Sequence, residues 1–471
     1  MSEKNYDVIV IGSGPAGYVC AIRCAQLGMS VACIDERSDK NNKPSPGGTC
    51  LNVGCIPSKA LLDSSHHFAF LNHEAAEHGI QCENPSMDIA AMQKRKNKVV
   101  KTLTTGIKGL FKKNKVEFFH GVASLDSVSD VKVSSDTGDI KLRANNIVIA
   151  TGSKPFELAA APVDQKLIVD STGALEFGEV PNHLGVIGAG VIGLEMASIW
   201  SRLGARVTIW EGLNTFLGSV DQDIAVQAQK IFTKQGIEIN LGCTVKGVKL
   251  GDNSVSVIVE NKGDESETEI DRLLVSIGRI AHTDNLDLDN LGIELDNKGF
   301  IKVDEQWQTA QPGVYAIGDV IGGAMLAHKG SEEGIAVAEI LAGQHGQVNS
   351  AIPWVIYTWP EIAWVGATEE ALQSEGIKYK TGSFPFMALG RARAMGYIEG
   401  MIKFIADDDT DRLLAVHIIG PSASELIAEA VVAIESELCA EDLARTIHAH
   451  PTLSEGMHEA ALAVDDRVIH I

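Results

Sequence analysis

The chain has 471 residues, 45% hydrophobic and 22% charged, which excludes a disordered or fibrous protein and exceeds what one ordinary core holds. Its 62 acidic and 40 basic side chains leave a net charge of −22. That field repels phosphate backbones, so no nucleic acid partner is expected; it would suit a basic docking surface on another protein.

The N-terminus, "MSEKNYDVIVIGSG", passes into a strand within five residues and has neither a secretory signal nor a transit peptide's arginines. The chain therefore reads as cytoplasmic, or as a mature organellar form, with no membrane segment. "YDVIVIGSGPAGYVCAIRCAQLGMSVACIDE" is an apolar strand, a glycine-rich turn, an amphipathic helix and a second strand ending in acid. Gly12, Gly14 and Gly17 form G-x-G-x-x-G, and Asp35 lies 23 residues beyond Gly12, followed by Glu36. Such glycines let a backbone approach a pyrophosphate on a helix N-terminus, and the acid accepts from a ribose diol. The polar loop 37–46 that follows reads as solvated.

"GGTCLNVGCIPSKALL" (47–62) then places Cys50 and Cys55 five apart in a run with helical texture. On a regular helix they would stand about 140° apart and about 7.5 Å along the axis. A disulfide wants Cα atoms within roughly 4.4–6.8 Å. Either the two are unrelated or the backbone bends; Gly54 and Pro57 favour a bend. Lys59, one turn after Cys55, would stabilise a thiolate, although an exposed helix lysine can have the same spacing. The other cysteines, Cys20, Cys24, Cys33, Cys82, Cys243 and Cys439, read as packing residues.

"NIVIATGS" (146–153) and "LLVSIGR" (273–279) are apolar strands running up to glycine. Between them "HLGVIGAGVIGLEMASIWSRLGARVTIWE" repeats the first pattern, with Gly188, Gly190 and Gly193 in the turn and Glu211 again 23 residues on. No arginine follows Glu211 to hold a 2′-phosphate, which favours NAD over NADP. "GVYAIGDV" (313–320) ends in Asp319, a candidate for a sugar or ribitol hydroxyl, ahead of a helix-like run. From residue 351 the texture changes to alternating strands, then helices near 422–438 and 454–464, without a phosphate loop. The residues alone do not choose among His448, His450 and His458 as an acid–base group.

With "GSGPAGY", "GVIGAGVIGLE", "YAIGDV", "AMLAHK", "YTWPE" and the tail "HAHPTLSEGMHEAAL", the chain resembles the dihydrolipoamide dehydrogenases of the flavin-dependent pyridine nucleotide–disulfide oxidoreductase family over essentially its whole length. The resemblance implies an α/β fold class: two Rossmann-like nucleotide-binding domains, for FAD and NAD, plus an α+β C-terminal dimerisation domain. The expected boundaries are 1–150 for FAD, 151–281 for NAD, 282–350 for a central segment completing the FAD site and 351–471 for dimerisation. It implies a homodimer whose active site is completed by the tail of the other subunit. Cys50 would be the interchange thiol and Cys55 the charge-transfer thiolate; Lys59 and Glu195 would pair near the flavin. His450 would be the acid–base and Glu455 its orienting partner. Around FAD it places Ala123, Thr151, Gly152, Ser153, Asp319, Met325, Leu326, Ala327 and His328, and around NAD it places Val245 and Gly278. Asp35 stands where glutamate is commoner and Ala123 where glycine is. The implied function is NAD-dependent reoxidation of dihydrolipoyl groups on the transacylase core of a 2-oxo acid dehydrogenase or glycine cleavage complex. The alternatives are a related disulfide reductase or transhydrogenase, or a structural subunit. No metal is expected.

Overall fold

The computed structural model describes residues 4–136 and 138–471; the N-terminal reading at residues 1–3 lies outside them. The chain divides into two compact units, each interleaved in sequence. The first is the described part of Met1–Leu61 with Ala90–Phe156 and Gly278–Val348; the second is Leu62–Ile89, Glu157–Ile277 and Asn349–Ile471.

The first unit is built on β1 (Lys4–Ile11), α1 (Pro15–Gln26) and β2 (Val31–Asp35), the elements expected around the first glycine turn. After β2 come α2 (Gly48–Val53), α3 (Cys55–His73), α4 (Ile89–Asn114), β3 (Glu117–His120), β4 (Val122–Leu125), β5 (Asp130–Ser134) and β6 (Ile140–Ile149). The strand order is β3-β2-β1-β6-β5-β4, and the strand Val314–Ala316 also pairs with β6. β1, β2, β3 and the end of β6 run parallel, so both faces are covered and the strands read as continuous apolar runs. One face packs Val8, Val10, Cys20, Cys24, Ile107 and Phe111 together; the other joins Ile9, Ile11, Leu142 and Ile149 to Leu286 and Ile301.

The second unit repeats the plan. The strands His183–Ile187, Arg206–Trp210, Ile237–Asn240 and Arg272–Val275 form a parallel sheet beside a three-stranded antiparallel ribbon, Cys243–Leu250, Val255–Asn261 and Asp264–Ile270. Its C-terminal part is a five-stranded antiparallel sheet carrying the helices Ala423–Glu435, Ala440–Arg445 and Glu455–Ala463. Within this unit the Lys403 ammonium, 3% exposed, meets Asp221 Oδ1 at 2.8 Å, Asp223 Oδ2 at 2.7 Å and Glu369. Burial works to lower the Lys403 pKa, but the carboxylates outweigh it and raise it above its ordinary value.

One expectation changes here: Cys82 is exposed, not a packing residue. Trp364 is 4% exposed and stacks on Trp354 within its own sheet, ring centroids 5.6 Å apart.

Candidate functional site

The two glycine turns coincide almost atom for atom in their bonding. Gly12 and Gly188 have φ of +103° and +101°, and each donates its N–H to the end of the neighbouring strand, at Ile34 O and Trp210 O, both 2.8 Å. A Cβ on Gly17 would lie 2.0 Å from Gly12 O, and one on Gly193 would lie 2.1 Å from Gly188 O. Helix and strand can touch only through glycine there. The middle glycines cap the helices without side-chain help, and neither helix carries acid in its first turn. A Cβ on Gly190 would meet open space. Uncapped amides and a positive helix end fit a dinucleotide pyrophosphate at each turn.

The acids are also matched. Asp35 Oδ2 accepts from Ser13 N at 2.8 Å and Oδ1 from Arg37 N at 2.8 Å; Glu211 Oε2 accepts from Ala189 N at 2.8 Å and Oε1 from Leu213 N at 2.9 Å. Each carboxylate thus braces its own turn as well as standing at the strand tip. Glu36 is exposed and holds no such place.

The cysteine segment is fastened to the first turn. Gly47 N donates to Ser13 O at 2.9 Å and to Ser13 Oγ at 3.2 Å, while Ser13 Oγ donates to Asp35 Oδ2 at 2.6 Å. The helix breaks at Gly54 (φ −138°, ψ −115°), between α2 and α3, so the backbone between the cysteines does bend. A Cβ on Gly54 would crowd Thr49 O at 3.0 Å and Cys50 Cα at 3.3 Å. Cys50 and Cys55 are both half-buried. A thiol–thiol hydrogen bond with Cys55, then burial, pushes the Cys50 pKa up, while the Lys59 ammonium works the other way. Tyr18 also senses Cys50: burial first, then the neighbouring sulfur, raises its phenol.

The first unit also joins several residues far apart in sequence. Thr151 Oγ1 donates to His282 O at 2.6 Å. Ser153 Oγ donates to Asp319 Oδ2 at 2.5 Å and receives Arg279 Nε at 2.7 Å. Gly152 takes φ +76° and Gly278 φ +128°. Met325 and Leu326 lead into the helix Ala327–Leu341, which starts at Ala327 and His328 with no side-chain cap and no acid in its first turn. Ala123 lies in β4 with its methyl in the core, paired with Val133 of β5. In the second unit Val245 lies at a bulge of a strand whose Cys243 N donates to Glu211 O at 2.8 Å. Glu195 is 3% exposed and accepts from Tyr357 N at 3.1 Å. Lys59 and Glu195 fall in different units.

The tail separates its histidines. His450 Nδ1 bonds Glu455 Oε1 at 2.7 Å, and Thr452 N donates to Glu455 Oε2 at 2.8 Å. The carboxylate accepts, so Nδ1 carries hydrogen and Nε2 is the basic atom, on a side chain 79% exposed. Burial would raise the Glu455 pKa, but these two donors hold it below the ordinary carboxylate value. His448 is 8% exposed, with Nε2 on Glu429 Oε1 at 2.7 Å and Nδ1 on Thr446 O at 2.9 Å. Both partners are acceptors, an arrangement that favours the imidazolium, which has no lone pair for base work. Among the described residues, the buried Nδ1 of His458 has no hydrogen-bond partner. The acid–imidazole construction recurs at His470 Nδ1 and Glu459 Oε1, 2.6 Å apart. Sequence reading passed over Ser13, Tyr18, Arg279 and His470; only the repeat of a turn residue, Ser13 against Ala189, could have flagged one of them.

The family model of the pyridine nucleotide-disulphide oxidoreductases matches residues 6–334, and that of their dimerisation domain matches residues 352–461. The chain belongs to the pyridine nucleotide-disulphide oxidoreductases. As a member it is a flavoprotein oxidoreductase that uses FAD and NAD, and a homodimer. A dihydrolipoyl dehydrogenase of Cupriavidus necator is 50% identical over 473 residues, covering all of both chains. A mitochondrial dihydrolipoyl dehydrogenase of Arabidopsis thaliana is 48% identical over 474 residues, all of this chain and 92% of its own. Among solved structures, a Cu(II) complex of the HOCl-induced flavoprotein disulfide reductase RclA from Escherichia coli is 28% identical, with a TM-score of 0.86 over 98% of this chain and 99% of that one. Among the described residues, no helix of this oxidoreductase is long and apolar enough to cross a membrane.

Proposed function

We propose that the chain reoxidises protein-bound dihydrolipoyl groups on the transacylase core of a 2-oxo acid dehydrogenase or glycine cleavage complex in the cytoplasm, with NAD as final acceptor. The observation that carries this reading is the Cys50–Cys55 pair: interacting thiols beside Lys59, on a segment hydrogen-bonded into the first dinucleotide turn. The two dihydrolipoyl dehydrogenases named above support the choice of substrate. FAD held at the first turn would supply an acceptor for two electrons, and NAD at the second would supply a hydride acceptor.

In its oxidised state the pair is a disulfide. One thiolate of the substrate attacks Cys50 Sγ; the Cys50–Cys55 bond breaks and Cys55 leaves as thiolate. The second substrate thiol attacks the substrate sulfur now bonded to Cys50, closing the lipoyl disulfide and releasing Cys50. Two electrons pass from substrate to cysteines. The protons shed by the dithiol go to Nε2 of the partner subunit's His450, whose tautomer Glu455 sets, and then to solvent. Lys59 lowers the cost of thiolate next to it.

Cys50→Ser tests this. The variant should stay yellow, lose turnover of dihydrolipoamide and develop thiolate-to-flavin absorption without added reductant. A variant that reduces NAD with dihydrolipoamide at near-normal rate refutes the assignment. A wild-type protein with no long-wavelength band on two-electron reduction would point to a structural subunit.

A further inference from the structure

In a chain of net charge −22, α4 runs for 26 residues without one acidic side chain and carries eight basic ones, Lys94, Arg95, Lys96, Lys98, Lys101, Lys108, Lys112 and Lys113. Five of them fall into one register. Lys94, Lys98, Lys101, Lys108 and Lys112 follow the alternating four- and three-residue steps that keep side chains on one helix face, with Thr105 filling the gap. At 1.5 Å per residue the stripe is about 27 Å long. All five are exposed, while Met92, Thr104, Ile107 and Phe111 face the core on the other side. Among the described residues none of the five makes an ion pair, although other lysines of the same unit do: Lys4 with Glu117, Lys132 with Asp139, Lys141 with Asp126 and Lys302 with Glu294. Asp39 feels the Lys108 charge without pairing to it, and with 62 carboxylates in the chain a lysine face that makes no ion pair among the described residues is not what random pairing leaves.

The helix is also tied to the redox segment. Arg95 Nη1 donates to Ala60 O at 2.8 Å, and Ala60 lies on α3 next to Lys59 and five residues after Cys55. α4 is thereby fastened to the helix that begins at Cys55.

We propose that the lysine stripe of α4 docks an acidic protein domain, the one that carries the dihydrolipoyl group. The inference rests on the proposed function for its cargo, and on charge complementarity for its surface. An isolated stripe on a strongly anionic molecule suits a compact acidic domain better than RNA or an anionic membrane, which would also meet the negative field around it. The stripe raises encounter rate and shortens the search for the thiols without touching the chemistry.

The test compares three holoenzymes: wild type, the variant K94Q/K98Q/K101Q/K108Q/K112Q, and a charge-matched control with Lys166, Lys230, Lys262, Lys298 and Lys378, all exposed, changed to Gln. Each is assayed with NAD on free dihydrolipoamide and on a purified acidic lipoyl domain in its dithiol form. Binding of that domain is measured separately by fluorescence anisotropy. Expected are equal kcat/KM on free dihydrolipoamide for all three and, on the domain, a loss of about tenfold for the stripe variant alone at low salt. Wild type should lose roughly the same tenfold as NaCl rises from about 0.02 to about 0.2 M, and the stripe variant should be nearly flat. Equal kcat/KM and anisotropy for stripe variant and wild type overturn the proposal. So does an equal defect in the control, a dissociated dimer in the stripe variant, or a defect confined to binding RNA or anionic vesicles. Failure of all three enzymes on free dihydrolipoamide would instead sink the proposed function, and anisotropy would still decide the docking.

Discussion

Glu455→Gln keeps the shape of the side chain and removes its charge. In the native carboxylate both oxygens accept, one from His450 Nδ1 at 2.7 Å and one from Thr452 N at 2.8 Å. An amide has one acceptor and one donor end, so in either orientation an NH2 faces an N–H. One charge-assisted bond is lost, worth roughly 1.5–3 kcal/mol, and the low end applies because His450 is largely exposed. If the lost bond acts only while His450 carries the substrate's proton, about 1.5 kcal/mol is about a tenfold drop in kcat at little change in KM. Steady-state turnover of dihydrolipoamide with NAD measures it. Oxidation of NADH by ferricyanide, which needs no dithiol, serves as control and should be unchanged. A kcat within twofold of wild type refutes the orienting role; an equal loss with ferricyanide shows damage unrelated to proton transfer.

The repeated turn gives a paired prediction: Gly17→Ala should yield colourless protein, because its Cβ has no room beside Gly12 O, whereas Gly193→Ala should stay yellow but lose NAD-linked turnover. Visible spectra and NADH kinetics check both, and a yellow, fully active Gly17→Ala protein contradicts the packing argument. His448 gives a pH dependence. Its hydrogen bond to Glu429 raises its pKa in the fold against the opposing effect of burial, so its stabilisation is full below about pH 6.5 and drains away as pH rises through the folded value. The Tm advantage of wild type over His448→Gln should therefore shrink as pH rises above about 6.5; parallel Tm–pH curves would count against the imidazolium.

Much of this was legible in the residues because it is local. The turn–helix–strand units are short-range patterns, and Gly54 marks the bend between the cysteines within five positions. The rest depends on partners brought in from afar. Nothing near His448 announces Glu429, 19 residues upstream, yet that contact favours the protonated form of one histidine while its neighbour two residues on keeps a basic nitrogen. Arg279 reaches Ser153 across 126 positions. Asp35 was read only as a sugar acceptor, and its second task, bracing Ser13 and Arg37, exists only once the turn has closed. The lysine register of α4 was in the sequence all along; a whole-chain charge total averages it away.

The Lys403 cluster bears on how this molecule can be cut. Two of its three carboxylates, Asp221 and Asp223, begin the helix Gln222–Lys234 of the second nucleotide module, while the lysine sits on a central strand of the C-terminal sheet. A fragment starting at residue 351 would leave Lys403 with one of its three carboxylates, Glu369, and a truncation ending before residue 351 would leave Asp221 without its ammonium partner. Crystallisation or display of either half alone calls for replacing that trio along with the chain break.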